Sequence, residues 1–200
     1  MLAPECRVIF HIIIVAQSLR ICKFSYIIAF EHESWYPVKM KREIVIACDV
    51  DGVINALGDE NFSRADMQEK MLFDASGRPR VNLTFSPTTI QELNALAVRF
   101  PFFMLTSWNA RVEELRQAGL KELPFLEVER NGADSERDSK LKHVAKLAAE
   151  NRYIIWIDDF AKEWFHLLPR SVQDAVFPIQ PHHHQGIQAQ DMQQILDLVE

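Results

Sequence analysis

From Glu43 onward, short continuous apolar runs alternate with longer stretches in which apolar residues recur every three or four positions. Ile44–Cys48 (IVIAC) is such a run, bounded by Glu43 and Asp49, and its length and β-branching predict a strand covered on both faces. Pro101–Leu105 (PFFML), Phe125–Val128, Tyr153–Ile157 (YIIWI) and Ala175–Ile179 predict four more. Helical spacing begins after Ser86-Pro87, where Ser is a good N-cap and Pro suits the first turn. Ile90, Leu93, Leu96 and Ala97 then form one apolar stripe. Further helices are predicted over Arg111–Ala118, stopped by Gly119, over Ser139–Ala149, and over Gln188–Val199 at the end of the sequence. Residues 55–80 are polar and rich in turn formers, with Gly58, Gly77 and Pro79, and read as a loop or hairpin region. Strands separated by helices imply right-handed crossovers and a mainly parallel sheet. The ligands of such sheets bind just beyond the carboxyl ends of the strands.

The first 40 residues break this pattern. Val8–Ala16 and Phe24–Phe30 are apolar, but neither approaches the roughly 20 residues that span a bilayer. Glu5 sits where a secretory signal needs positive charge, and Ala16-Gln-Ser is a poor cleavage site. Met40-Lys-Arg-Glu reads as a natural start, so residues 1–42 are expected to be an N-terminal extension outside the core and 43–200 the folded domain. A formal net charge of −6 argues against a broad basic surface for duplex nucleic acid, while leaving room for a local basic patch. Cys6, Cys22 and Cys48 form no CxxC pair and have no histidine at zinc spacing, which suits a reducing, cytoplasmic setting and no membrane span. Cys48, inside a strand, reads as a small buried hydrophobe.

The chemistry gathers where the strands end. Asp49 and Asp51 follow the first strand, and residues two apart on an extended backbone point the same way. Gly52 permits a sharp turn there and close approach of backbone N–H groups to an anion. Asp158-Asp159 end the strand Tyr153–Ile157. Carboxylates brought together from neighbouring strand ends repel, and a bound cation resolves the repulsion. Oxygen-only donors favour Mg²⁺ over zinc or copper. Thr106-Ser107-Trp108-Asn109 bring hydroxyl and amide donors to the same rim, and Lys140, in the helix before the last acidic pair, brings positive charge. Such a set serves phosphoryl transfer: one carboxylate attacks phosphorus, a second moves a proton, and cations offset the accumulating charge.

In their order, IVIACDVDGVIN, FFMLTSWN, Lys140 and IIWIDD resemble the four motifs of the haloacid dehalogenase (HAD) superfamily. Within it, the Thr-Ser-Trp-Asn run, the Trp-Ile-Asp-Asp ending and the late Gly186-Ile187 are similar to the domain named for Swiss Army knife RNA repair proteins. The resemblance covers about residues 43–200, one domain in size. It implies a three-layer α/β sandwich with a mainly parallel, Rossmann-like sheet. It makes Asp49 the nucleophile, Asp51 the general acid/base, Thr106 the phosphoryl binder and Lys140 the stabilising cation. Lys140 is preferred to Lys142 and Lys146 because its distance to Asp158 better matches the family. The metal, Mg²⁺, would take Asp49, the backbone carbonyl of Asp51, and Asp158. Asp159 is open to two roles, metal ligand or N-cap of a helix over Phe160–Leu168. Gly52, Ser107, Trp108 and Asn109 are the candidate substrate contacts, with Trp108 either stacking on a base or packing internally.

Residues 53–85 have room for a flap but not a large cap, and the stretch from Arg111 to Lys140 is short. An open site suits a bulky phosphorylated substrate, so polynucleotide ends or nucleotides are the expected partners, although the acidic charge predicts weak unaided nucleic-acid affinity. The rivals are a binding module without turnover and a phosphotransferase; a phosphomutase needs a cap to exclude water. No EF-hand is expected, because the acids it requires do not follow Asp51. His182, His183 and His184 read as a loop, since consecutive side chains diverge and no acid or cysteine completes a metal shell.

Overall fold

The computed structural model describes residues 27–29, 36–38, 43–58, 65–150 and 152–200. The chain divides into two units, Met1–Lys41 and Arg42–Glu200. In the first, β1 (Ile27–Ala29) pairs antiparallel with β2 (Tyr36–Val38). The apolar run Val8–Ala16 and the Met40-Lys-Arg start lie outside the described residues.

The second unit is α/β. β3 (Glu43–Cys48), β6 (Phe102–Met104), β7 (Arg152–Ile157) and β8 (Val176–Ile179) form a parallel sheet in the order β6-β3-β7-β8. β3 and β7, the two central strands, are the two with the longest apolar runs, because a central parallel strand must bury both faces. Alternation along β3 divides the core in two. Ile46 and Cys48 join Leu93, Met104, Ile155, Ile157, Met192 and Ile195 on one side. Val45 and Ala47 join Leu105, Val144, Leu147, Ile154 and Trp156 on the other. Helices therefore cover both faces: α1 (Pro87–Arg99) and α5 (Ala189–Val199) the first, α2 (Ala133–Ala149) the second. Truncating Leu93, wholly buried in the first cluster, to Ala is expected to cost about 2–5 kcal/mol.

Local chemistry sets the ends of these helices. Ser86 accepts the Thr89 N–H at 3.1 Å, and Asp66 takes the Ser86 hydroxyl at 2.7 Å and the Thr88 N–H at 3.0 Å, so α1 starts as its Ser-Pro signature demands. Gln188 and Asp191 form a reciprocal capping box at the start of α5. Two short helices, α3 (Ala161–Phe165) and α4 (Arg170–Gln173), lie between β7 and β8.

The structure departs from the expected elements in several places. Residues 55–80 hold the first strand of a hairpin, one of the two forms expected there, but its extent differs: β4 (Gln68–Phe73) pairs with β5 (Pro79–Phe85), which runs further, up to α1. The turn is held by the Asp74 carboxylate, which accepts from the Ser76 and Arg78 N–H groups. Asn109–Ala118 is a 3₁₀ helix rather than an α-helix, ending at Gly119 with φ of 94°, the left-handed region that glycine enters without steric cost. α2 begins at Ala133, a turn and a half ahead of the predicted Ser139. The short α3 replaces the helix expected over Phe160–Leu168.

Phe125–Val128 is not a strand: only Phe125 bridges Met104. The reason is local. Pro124 has no N–H to give a ladder, and both backbone polar groups of Val128 go to the Asn109 amide, at 2.7 and 2.9 Å. His182, His183 and His184 lie on an exposed turn as expected, but their side chains do not diverge: the ring centroids lie 3.8 to 5.6 Å apart. Among the described residues no helix is long and apolar enough to cross a membrane.

Candidate active site

The sheet brings the acidic strand ends together because β3 and β7 are neighbours in register, Cys48 opposite Ile157. The next residues along each strand, Asp49 and Asp158, thus emerge side by side, both buried. Asp49, Asp158 and Asp159 each offer a carboxylate oxygen within 4.8 Å of the others. Lys140, on the buried face of α2 and itself 1% exposed, reaches into this group. Its ammonium donates to Asp49 Oδ2 at 2.5 Å and Asp158 Oδ2 at 3.0 Å, and Glu136, one turn earlier, lies 3.2 Å away. Lys142 and Lys146 point to solvent instead. Helical periodicity decides between them: 140, 144, 147 and 148 share the face that meets the sheet.

Three carboxylates against one buried ammonium leave excess negative charge. Burial first, then the Asp158 charge, pushes Asp49 up to about 6 despite the opposing pull of Lys140. Burial, with Asp158 and Asp49 beside it, pushes Asp159 up to about 7. For Lys140, burial works against the ammonium, but the charges of Asp49 and Asp158 outweigh it and raise its pKa. A site of hard oxygen donors with uncompensated negative charge fits a divalent cation held by Asp49, Asp158 and Asp159.

The surrounding backbone serves the same cluster. Asp49 Oδ1 accepts the Val50 N–H at 2.6 Å, and the wholly buried Thr106 hydroxyl hydrogen-bonds Asp49. Gly52 has φ of 71°, and a Cβ there would collide with the Asp159 carboxylate. Glycine is therefore what lets Asp159 close over the turn. Asp158 also accepts the Phe160 N–H through Oδ1 at 2.9 Å and the Ala161 N–H through its carbonyl. Neither aspartate is the N-cap of the short helix Ala161–Phe165, which is Phe160; Asp158 instead holds the turn that leads into it.

Asp51 stands apart from the cluster, although alternation alone aims it the same way as Asp49. Its carboxylate accepts the Trp108 Nε1–H at 2.7 Å and the Asn55 amide at 2.8 Å. Asn55 in turn accepts the Thr84 N–H at 3.0 Å, tying the motif loop to β5. Trp108 is only 4% exposed, so its ring is largely packed, and what remains open lines a cleft. Asn109, with φ of 50°, spends its amide on Val128. Asn109 is therefore a positioning residue, while Trp108 both holds Asp51 and lines the cleft. Ser107 and Trp108 line this cleft of about 500 Å³, together with Asp51, Arg111, Arg130 and Glu136.

Sequence reasoning missed Asn55, Glu136, Arg111 and Arg130. Glu136 was within reach, being four residues before Lys140 on one helix face. So was Asn55, four residues after Asp51 in the same turn, whereas Arg111 and Arg130 were not, because only the tertiary fold brings them to the cleft.

Comparison with protein-family models, with curated proteins and with solved structures finds no match in any of the three.

Proposed function

We propose that this chain is a Mg²⁺-dependent phosphohydrolase of the HAD type, working through an aspartyl-phosphate on Asp49. One observation carries the reading: Lys140 bridges Asp49 and Asp158 inside a three-carboxylate cluster at the ends of adjacent parallel strands. The four motif segments thus meet at one point, with Thr106 contacting Asp49 from the strand beside it. The hairpin β4–β5, which follows the first motif, is small, in keeping with a HAD-like sandwich that carries no large cap.

The residues divide the work as follows. Asp49, held by Lys140 and the Val50 N–H, keeps its carboxylate oriented for attack on phosphorus. The P–O bond to the leaving group breaks as the Asp49–phosphorus bond forms, and Asp51 gives the leaving oxygen its proton. Asp51 then takes a proton from water, which hydrolyses the acyl phosphate and restores the Asp49 carboxylate. A divalent cation at Asp49, Asp158 and Asp159 would supply positive charge that offsets the phosphoryl oxygens. Trp108 and Asn55 fix Asp51 through one hydrogen bond to each oxygen, leaving each a second lone pair for the proton. The substrates favoured by the sequence resemblance are nucleotides or phosphorylated polynucleotide ends, in the cytoplasm.

A second reading draws on the same hydrogen bonds. Asp51 is committed to Trp108 and Asn55 rather than facing the cluster, as a binding module without turnover would tolerate. Phosphate release from small phosphomonoesters, nucleotides and phosphorylated oligonucleotides separates the two. The phosphohydrolase reading expects release that needs both Mg²⁺ and Asp49, and an Asp49→Asn variant that folds but is silent. Release that persists in Asp49→Asn would sink the nucleophile assignment, and silence of the folded wild type across the panel would favour the binding module.

A further inference from the structure

Two arginines outside the four motifs line the cleft onto which Asp51 opens. Arg111 comes from the 3₁₀ helix after the Thr-Ser-Trp-Asn run, and Arg130 from the loop that precedes α2. The guanidinium carbon of Arg111 lies 4.9 Å from the centroid of the Trp108 ring, the same ring that positions Asp51. Its Nε is buried without a hydrogen-bond partner, and its nearest carboxylate, Glu114, is 3.6 Å away, beyond a good hydrogen bond. Arg130 is exposed and has no carboxylate within ion-pair distance among the described residues. The acids of the cleft are already engaged, Asp51 by Trp108 and Asn55, and Glu136 by Lys140. Arg130 is thus a cleft charge without an ion-pair partner among the described residues, and Arg111 has only the loose Glu114 pair beside the Trp108 ring, in a chain whose net charge is −6.

Arginine presents a planar fork that matches phosphate oxygens two at a time, and it holds its charge at any working pH. The phosphoryl group to be transferred has its own partners in Lys140 and Thr106, so the arginines are surplus to it. We propose that Arg111 and Arg130 bind a second phosphate of the substrate, so that the preferred substrate is a phosphomonoester carrying another phosphate rather than a simple monoester. This inference rests on the phosphohydrolase reading for the position of the first phosphate. A small bisphosphate and the end of an oligonucleotide both supply the required chemistry.

Steady-state kinetics with Mg²⁺ on adenosine 3′-phosphate, adenosine 3′,5′-bisphosphate and a 3′-phosphorylated oligonucleotide test it. The wild type is expected to favour at least one doubly phosphorylated substrate by about tenfold or more in kcat/KM, mainly through KM. The arm preferred names the source. Arg130→Gln and Arg111→Gln are expected to lower kcat/KM for that substrate about tenfold more than for adenosine 3′-phosphate, and Arg111→Lys to recover part of the loss. No preference in the wild type, or equal losses on all substrates, overturns the inference while leaving the phosphohydrolase reading standing. If no substrate releases phosphate, that reading falls, and calorimetric titration of adenosine 3′,5′-bisphosphate decides the inference alone. Binding weakened about tenfold in Arg130→Gln supports it, whereas equal affinity or no binding overturns it.

Discussion

Trp108 donates its indole N–H to Asp51 at 2.7 Å, across 57 residues of sequence. The bond links the second motif segment to the first, and the Trp108 ring that makes it also carries the guanidinium of Arg111. A tryptophan at the rim of a site invites a stacking role, yet here most of the ring is packed and only a small part of it lines the cleft.

Trp108→Phe keeps most of the packing and removes the donor. Loss of a hydrogen bond to a charged group costs about 1.5–3 kcal/mol, and loss of a group that orients a reacting residue commonly costs about 10–100-fold in rate. The expected outcome is a lower urea midpoint together with a kcat reduced about 10–100-fold and a largely intact KM. An unchanged kcat would remove Asp51 from the proton transfers, because its orientation would not matter.

Lys140→Met removes the ammonium that, among the described residues, pairs with Asp49 and Asp158. Breaking a buried pair from one side costs about 3–5 kcal/mol, because the surviving charges stay buried. Without the cation the acids hold their protons more tightly, so the variant is expected to be least stable relative to wild type at alkaline pH. Urea midpoints at pH 5 and pH 8 check this; a uniform loss at both would mean that packing, not charge, dominates.

The raised carboxyls give the metal-free domain a definite pH slope. Asp49 at about 6 and Asp159 at about 7 both lie above the ordinary 3.8, so the folded state holds protons that the unfolded chain has released. Stability from this source is complete below 3.8 and is lost as pH rises through about 6 to 7. Metal binding needs those protons gone. Added Mg²⁺ is therefore expected to raise the thermal midpoint more at pH 8 than at pH 6, with proton release that a weakly buffered titration detects. A larger effect at pH 6 would contradict the assignment of these carboxylates as ligands.

Asp66 has the opposite sign. Slight burial opposes ionisation, but bonds from Ser86 and Thr88 win and hold its carboxyl down at about 2. Its contribution is present above 3.8 and is lost as pH falls toward 2. Asp66→Ala is expected to lower stability at neutral pH while narrowing the gap to wild type in acid, read from urea midpoints at pH 7 and pH 2.5. A gap that stays constant would mean that the charge of Asp66 plays no part in starting α1.

The apolar runs Ile44–Cys48 and Tyr153–Ile157 contain within themselves the information that they are central strands, because only a strand covered on both faces tolerates five apolar residues in succession. The acids that end those runs likewise declare where chemistry could gather, since strand direction puts them at one edge of a parallel sheet. The resemblance selected Lys140 by its distance to Asp158, and the period of α2 sets Lys140, not Lys142 or Lys146, on the face that meets the sheet. Tertiary structure decided the rest. Asp49 and Asp51 share a strand direction, but Trp108, 57 residues on, and Asn55, four residues on in the same turn, hold Asp51 apart. The Asn109 amide claims the backbone of Val128 and removes a strand that the local pattern supports. Arg111 and Arg130 reach the cleft only because separate loops converge there. Periodicity reports which face of its own element a residue occupies. Which hydrogen-bond partner satisfies a polar group is settled by what the fold brings within about 3 Å of it, and a distance of 57 residues along the chain carries no trace of that.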